Sequence, residues 1–143
     1  MSTYPSSVFA LHDVRDFPFV HTTALERSPG SGVPWQAEMQ ALLARGEHFV
    51  IFYPSFHSGE QPAPDAGTQA QLQQDRKARA LWLKQYRQQL ARFCKGLITI
   101  EPDAQHYALE AARYPAMEKA FGVPLRVAAS RQEAEAMGRL LLA

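Results

Sequence analysis

The chain has 143 residues, 46% of them hydrophobic and 20% charged, with a formal net charge of +1 and one cysteine. That length suits one domain able to bury roughly 68–70% of the surface of its unfolded chain, so the fold needs neither a metal nor a disulfide, and Cys94 alone cannot form an intrachain bridge. The near-zero charge excludes a general polyanion binder, ten prolines exclude a coiled coil, and no run approaches the ~18 apolar residues of a membrane span. The N-terminal stretch MSTYPSSVFALHDVRD has neither the basic start nor the long apolar run of a signal peptide, so the expectation is a cytoplasmic protein in a reducing compartment.

Val8 to Asp13 and Phe17 to Thr23 are β-rich runs on either side of a charged break, Asp13-Val14-Arg15-Asp16, and predict a hairpin. Glu26 to Val33 is turn chemistry. Pro34 then opens a helix that buries Trp35, Met39, Leu42 and Leu43 and stops at Gly46. Phe49 to Tyr53 is a continuous apolar run, as expected of a central strand covered on both faces. Ser55 to Gly67 (SFHSGEQPAPDAG) reads as a loop of more than usual length. Thr68 with Gln71 reads as a capping box that launches a single helix to about Lys95, with Gly96 as its stop.

Leu97 to Glu101 is a further buried strand. Pro102-Asp103 starts a helix through Tyr107, Leu109 and Ala112 that Pro115 breaks or kinks, and its second half, Met117 to Phe121, ends at Gly122. Leu125 to Ala129 is the last strand, and Ser130 with Glu133 caps a final helix carrying Ala134, Met137, Leu140 and Leu141. The order β-β-α-β-α-β-α-β-α predicts one α/β domain over 1–143, with a mostly parallel or mixed sheet of four to five strands and about four helices.

This order of elements resembles the STAS domain, the fold of the anti-sigma-factor antagonists. In that family a regulatory serine lies in the loop after the third strand, at the start of the second helix, and is phosphorylated by a partner kinase. The resemblance therefore implies a regulatory, protein-binding role and points to Ser55, Ser58 and Thr68. The loop is longer here than in the family and has no compact Asp-Ser pattern.

The stretch from Asp75 to Lys95 concentrates amphipathicity and charge. On a helix, Leu72, Ala78, Trp82, Leu83, Tyr86, Leu90, Phe93 and Cys94 share one half of the cylinder, and Arg76, Lys77, Lys84, Arg87, Arg92 and Lys95 the other. Leu81 falls among the cations and Arg79 among the apolar residues. Residues 76–95 hold seven of the fifteen basic residues and no acid, leaving eight basic against fourteen acidic residues elsewhere, a body of net −6 with one basic stripe.

The leading expectation is a small non-enzymatic binding or regulatory domain that meets a protein partner or its own copy through the long basic helix 68–95 and the loop 55–67. Arg76, Lys77, Leu81, Lys84 and Arg87 would make the contact. A solvated cationic face is the plain alternative. Anionic lipid is another candidate surface, and nucleic acid is disfavoured because no exposed basic surface is interleaved with aromatics.

The second expectation is a small-molecule site, possible as an enzyme, at the carboxyl ends of the strands. Ser55, His57, Ser58, Arg79, Asp103 and His106 collect there beside Glu101, and Arg79 suits a small anionic ligand. Asp103 and Ser130 read as helix caps before they read as catalytic groups. His57 and His106 with Glu101 or Asp103 would hold a metal only with the loop folded inward, and His12 and His21 read as a cross-hairpin pair. The sequence has no nucleophile elbow, phosphate loop, H-E-x-x-H or cysteine pair, so no metal and no cofactor is expected.

Overall fold

The run Phe49–Tyr53 forms the central strand, β3, and its composition follows from its place. Successive side chains of a strand point to opposite faces. Here both faces are covered: Phe49 and Ile51 enter one core, Val50 and Phe52 another. In this computed structural model, which describes residues 9–55 and 64–143, β1 (His12–Asp13) pairs antiparallel with β2 (Phe19–Thr22). β2, β3, β4 (Cys94–Ile100) and β5 (Leu125–Ala128) run parallel, and the five strands lie side by side in chain order.

Strands that progress in one direction across a sheet, joined by crossovers of one hand, put their helices on one face. Accordingly α1 (Gly32–Ala44), α2 (Ala66–Gln85), α3 (Arg87–Phe93) and α4 (Ala104–Phe121) lie over the face of Phe49, Ile51, Leu97 and Val127. The last helix, α5 (Arg131–Leu142), covers the opposite face, on Val50, Phe52, Ile98 and Ala128. It can approach closely because Gly138 has no side chain: a Cβ there would stand 2.9 Å from Phe52 and 3.2 Å from Phe19. The result is the expected α/β architecture with one mixed five-stranded sheet.

Local differences from the sequence reading have physical causes. The helix expected over 68–95 is two helices that meet at Tyr86, whose φ of −106° and ψ of 20° leave the helical region. α2 starts earlier than the Thr68–Gln71 box implies, because Asp65 is the N-cap and its carboxylate accepts the Thr68 N–H at 2.7 Å. Cys94 and Gly96 belong to β4 and not to the helix or its stop. Gly96 leaves room on the sheet that Leu141 of α5 fills. Cys94 is fully buried, and burial pushes its thiol up to about 12.

Pro115 sits inside an unbroken α4, since Ala111, whose carbonyl it deprives of a partner, is exposed to solvent. α1 opens at Gly32, two residues before Pro34. The first strand is confined to His12–Asp13, and Val8 lies outside the described residues. The terminal signals of the other helices are met. Gly46 and Gly122 take φ of 67° and 75° just beyond α1 and α4, and Ser130 Oγ accepts the Glu133 N–H at 3.1 Å.

His12 and His21 do not pair, because adjacent strand positions send them to opposite faces: His12 stands opposite Thr22, and His21 opposite Asp13. His21 stacks on Phe52 with ring centroids 4.9 Å apart. His12 turns under α1, where Nδ1 lies 2.9 Å from Glu38 Oε1. The same buried carboxylate accepts the N–H groups of Ala10, Leu11 and His12, so one α1 side chain fixes the edge strand.

Burial alone would push the Glu38 carboxyl up. The His12 side chain and the N–H groups of Leu11 and Ala10 outweigh it, and the net displacement is downward. A depressed carboxyl stabilises the fold above its unfolded value, ordinarily 4.5, and that stability is lost as pH falls through the folded value. Between about pH 6 and about pH 3.5 the urea midpoint of the wild type should therefore fall further than that of Glu38→Gln, which has no carboxyl to titrate.

Candidate functional site

The segment 24–32 and the first half of α2 are locked together by a polar cluster that begins at Asp75. Helix α1 starts with orphan N–H groups, and its N-cap residue, Ser31, makes no capping bond because its Oγ donates to the Glu26 carbonyl at 2.8 Å. The buried Asp75 carboxylate takes over, accepting Gly30 N–H at 2.9 Å and Gly32 N–H at 3.1 Å, with the Gln71 amide at 3.2 Å. Burial pushes the Asp75 carboxyl up. The Gly30 and Gly32 N–H groups, Gln71 and Arg79 together bring it below its ordinary value.

Arg79 follows one turn later on the same side of α2. Its Nη2 donates to the Glu26 carbonyl and to Ser31 Oγ, the latter at 2.7 Å, and lies 3.4 Å from Glu26 Oε1. The guanidinium stands 5.8 Å from the Trp35 ring. Its place in the apolar half of the helix thus has a structural purpose, since it faces the protein and meets a carboxylate and a carbonyl there.

Beside this cluster lies a cavity of about 360 Å³ between α4 on one side and α1 to α3 on the other, floored by β3 to β5. One wall is set by Trp35 of α1, which packs edge-on against Trp82 of α2 at 5.2 Å, and by Met39, Leu83 and Leu90. The opposite wall is α4, with Tyr114, Met117 and Phe121, and the floor carries Tyr53, Leu97, Thr99 and Leu125.

Polar groups break this apolar lining at few points. Arg79 and Glu26 form one, and Arg113 and Glu110, 3.3 Å apart, form another. Tyr114 donates its hydroxyl to Thr99 Oγ1 at 2.7 Å. Burial lifts the Tyr114 phenol to about 12, with the Glu110 carboxylate adding to it, and burial followed by Glu26 drives the Tyr53 phenol further still. Both phenols are therefore neutral hydrogen-bonding groups, suited to holding a molecule rather than to abstracting its proton. Two lining residues, Arg79 and Trp35, have buried donors, Nε and Nε1, with no partner among the described residues.

The residues singled out from the sequence fall into separate places. Ser55, at the carboxyl end of β3, donates its hydroxyl to the buried Glu101 at the end of β4. Glu101 Oε2 accepts the Asp103 N–H at 3.1 Å, and Asp103 caps α4 by accepting the His106 N–H at 3.0 Å. His106 Nδ1 is 3.3 Å from the same Asp103 carboxylate. Ser55, Glu101, Asp103 and His106 form one polar chain at the carboxyl ends of β3 and β4. None of them lines the cavity, whereas Arg79 does. His57 and Ser58 lie outside the described residues.

On the outer face of α2, Arg76, Lys77, Leu81 and Lys84 are exposed, Leu81 to 68%. Arg87 is committed elsewhere: its Nε and Nη2 donate to the Ala120 and Lys119 carbonyls at the end of α4, at 3.2 and 2.9 Å. No group of three metal-ligating side chains occurs among the described residues, and no helix there is long and apolar enough to cross a membrane.

Sequence reasoning missed Asp75, Glu26, Tyr53, Glu110 and Tyr114, which belong to three helical segments and a strand and meet only through the fold. The one available hint was the spacing of Asp75 and Arg79, an acid and a base four apart at the start of the cationic run. Comparison with protein-family models, curated proteins and solved structures returned no match.

Removing the carboxylate that caps α1 tests the cluster directly. Asp75→Ala should lower stability by about 1–2 kcal/mol, read as a lower urea midpoint, and Asp75→Asn, which keeps one acceptor oxygen, should lose less.

Proposed function

We propose that this chain is a non-enzymatic small-molecule-binding domain whose site is the cavity between α4 and the α1–α3 wall. The observation that carries this reading is the cavity itself: about 360 Å³, mostly apolar, with a few convergent polar groups at its margin. Its size lies in the range of pockets that enclose small ligands, about 300–1,000 Å³. The Arg79–Glu26–Asp75 cluster supports it by holding α2, one wall of the cavity, against the start of α1.

A neutral, environment-sensitive naphthylamine dye should bind saturably with enhanced fluorescence. Met117→Trp, which fills the cavity from the α4 side, should weaken that binding at least tenfold while the circular dichroism spectrum stays that of the wild type. Absence of saturable binding to the wild type, or equal binding to the variant, would count against the reading.

A second reading is favoured by one observation, the exposure of Leu81 among Arg76, Lys77 and Lys84, whose side chains make no hydrogen bond or ion pair among the described residues. In it a domain with a STAS-like order of elements meets its own copy or an acidic protein through the outer face of α2. Lys77→Glu with Lys84→Glu should then shift the sedimentation coefficient of the self-associated protein at high concentration and leave thermal stability unchanged. Arg87 has to be left intact in such a variant because it secures the end of α4.

A further inference from the structure

The cavity changes character along its length, and that gradient says what enters it. Resting on the small-molecule reading above, we propose that the ligand is a straight-chain carboxylate lying lengthwise in the cavity, its tail among Leu90, Leu97 and Phe121 and its carboxylate at Arg113.

Polarity along the walls is the first argument. α2 and α4 both start beyond the carboxyl ends of the strands and run back along the sheet, so position on each helix reports position along the cavity. On α4 the lining passes from Glu110 and Arg113 through Tyr114 to Met117 and Phe121. On the facing wall it passes from Arg79 to Leu83 and then, across the break at Tyr86, to Leu90. The floor repeats the order: Tyr53 and Thr99 stand side by side on β3 and β4, and Leu97 and Leu125 stand side by side one pleat earlier. All three surfaces are polar at the same end and apolar at the other. A molecule with its polarity at one terminus satisfies them together, whereas polar groups spread round a ring would be buried against Leu97 or Phe121 without partners.

Shape is the second argument. From Glu110 to Phe121 the α4 wall covers about 16 Å at roughly 1.5 Å per residue. A volume of about 360 Å³ drawn out over that wall is slender. It holds about a dozen groups the size of a water molecule, at roughly 30 Å³ each, in file rather than in layers. At the apolar end Arg87 ties α3 to the Lys119 and Ala120 carbonyls of α4, so the tail enters from the polar end.

The head group follows from which charges stand forward at that end. Glu26 is 12% exposed against 20% for Arg79, and Glu110 4% against 61% for Arg113. The carboxylates are set back and the guanidiniums face what arrives. Arg113 donates through Nη1 to Glu110 at 3.3 Å and makes no other hydrogen bond among the described residues, leaving its Nε and Nη2 N–H groups to a ligand. A carboxylate matches that planar fork, and an ammonium head would be repelled by it.

The test is an isothermal titration of the full chain with hexanoate, octanoate, decanoate, dodecanoate and tetradecanoate, each below the concentration at which it forms micelles, and with 1-decanol. Affinity should rise about fourfold for each methylene from hexanoate to decanoate and level off beyond dodecanoate, where the cavity is full. Decanoate should bind at least fivefold more tightly than decanol. Arg113→Gln should abolish that difference while the gain per methylene persists, and Arg113→Lys, which keeps the charge, should preserve the preference for decanoate. Added salt should weaken decanoate relative to decanol, a reading that needs no variant.

Affinity that does not change along the series would overturn the proposal, since the cavity would then take no extended chain. Decanol binding as tightly as decanoate would overturn it as well, because Arg113 would select nothing. If neither the alkanoates nor decanol bind while the naphthylamine dye still binds and is excluded by Met117→Trp, the ligand class is wrong and the cavity reading stands. If the dye also fails, the cavity reading falls with it.

Discussion

The carboxylate of Asp75 holds together the half of the molecule on which any function rests. It is a helix cap supplied from another helix: the N–H groups at the start of α1 are satisfied by a side chain forty-odd residues away in sequence, on α2. A local cap organises only its own helix. This one also fixes where α2 lies, and Arg79, one turn further along, is delivered to Glu26 and Ser31. The indole pair Trp35–Trp82 closes the rest of the α1–α2 contact with apolar surface. Charge, cap and aromatic packing all act along one helix–helix seam.

That seam also explains why a chamber exists beside it. α2 spends its buried residues on α1, and α4 spends its own on β5 and β4, through Tyr114 against Leu125 and Val127. Neither helix is drawn fully over the middle of β4. Leu97 and Thr99 therefore form a floor that the helices flank without sealing. The Tyr114–Thr99 hydrogen bond fixes one flank, and Arg87 binding the end of α4 keeps the far end from opening.

Much of the scaffold was legible because local chemistry decided it. The apolar run of Phe49–Tyr53, the αL glycines at 46 and 122 and the cap at Ser130 each act over a few residues, and a reading in windows finds them. Where two elements compete for one residue, a window misleads. Gly96 looks like the end of a helix until Leu141, from the far end of the chain, is seen to need the space above it. Thr68 with Gln71 resembles a cap box, and Asp65 pre-empts it three residues earlier.

The candidate site was less legible still. Arg79 was conspicuous as a cation on an apolar face, but Glu26, in a short turn, gave no sign of meeting it, and the spacing of Asp75 four residues before it did not show that its carboxylate points towards α1. Tyr53 reads as the end of a buried strand and Tyr114 is not singled out at all, and only the gap between the helices brings the two to one cavity wall.

The burial of Cys94 gives the molecule a clock. The sulfur lies at the first residue of β4, opposite Phe49, with no exposed surface and a thiol that stays protonated at any physiological pH. Electrophiles and oxidants react with thiolate, so the intact sheet is closed to them on two counts, access and ionisation. Modification then proceeds only through moments when β4 parts from β3 and α3, and the pace of that reaction counts the openings of the central strand pair.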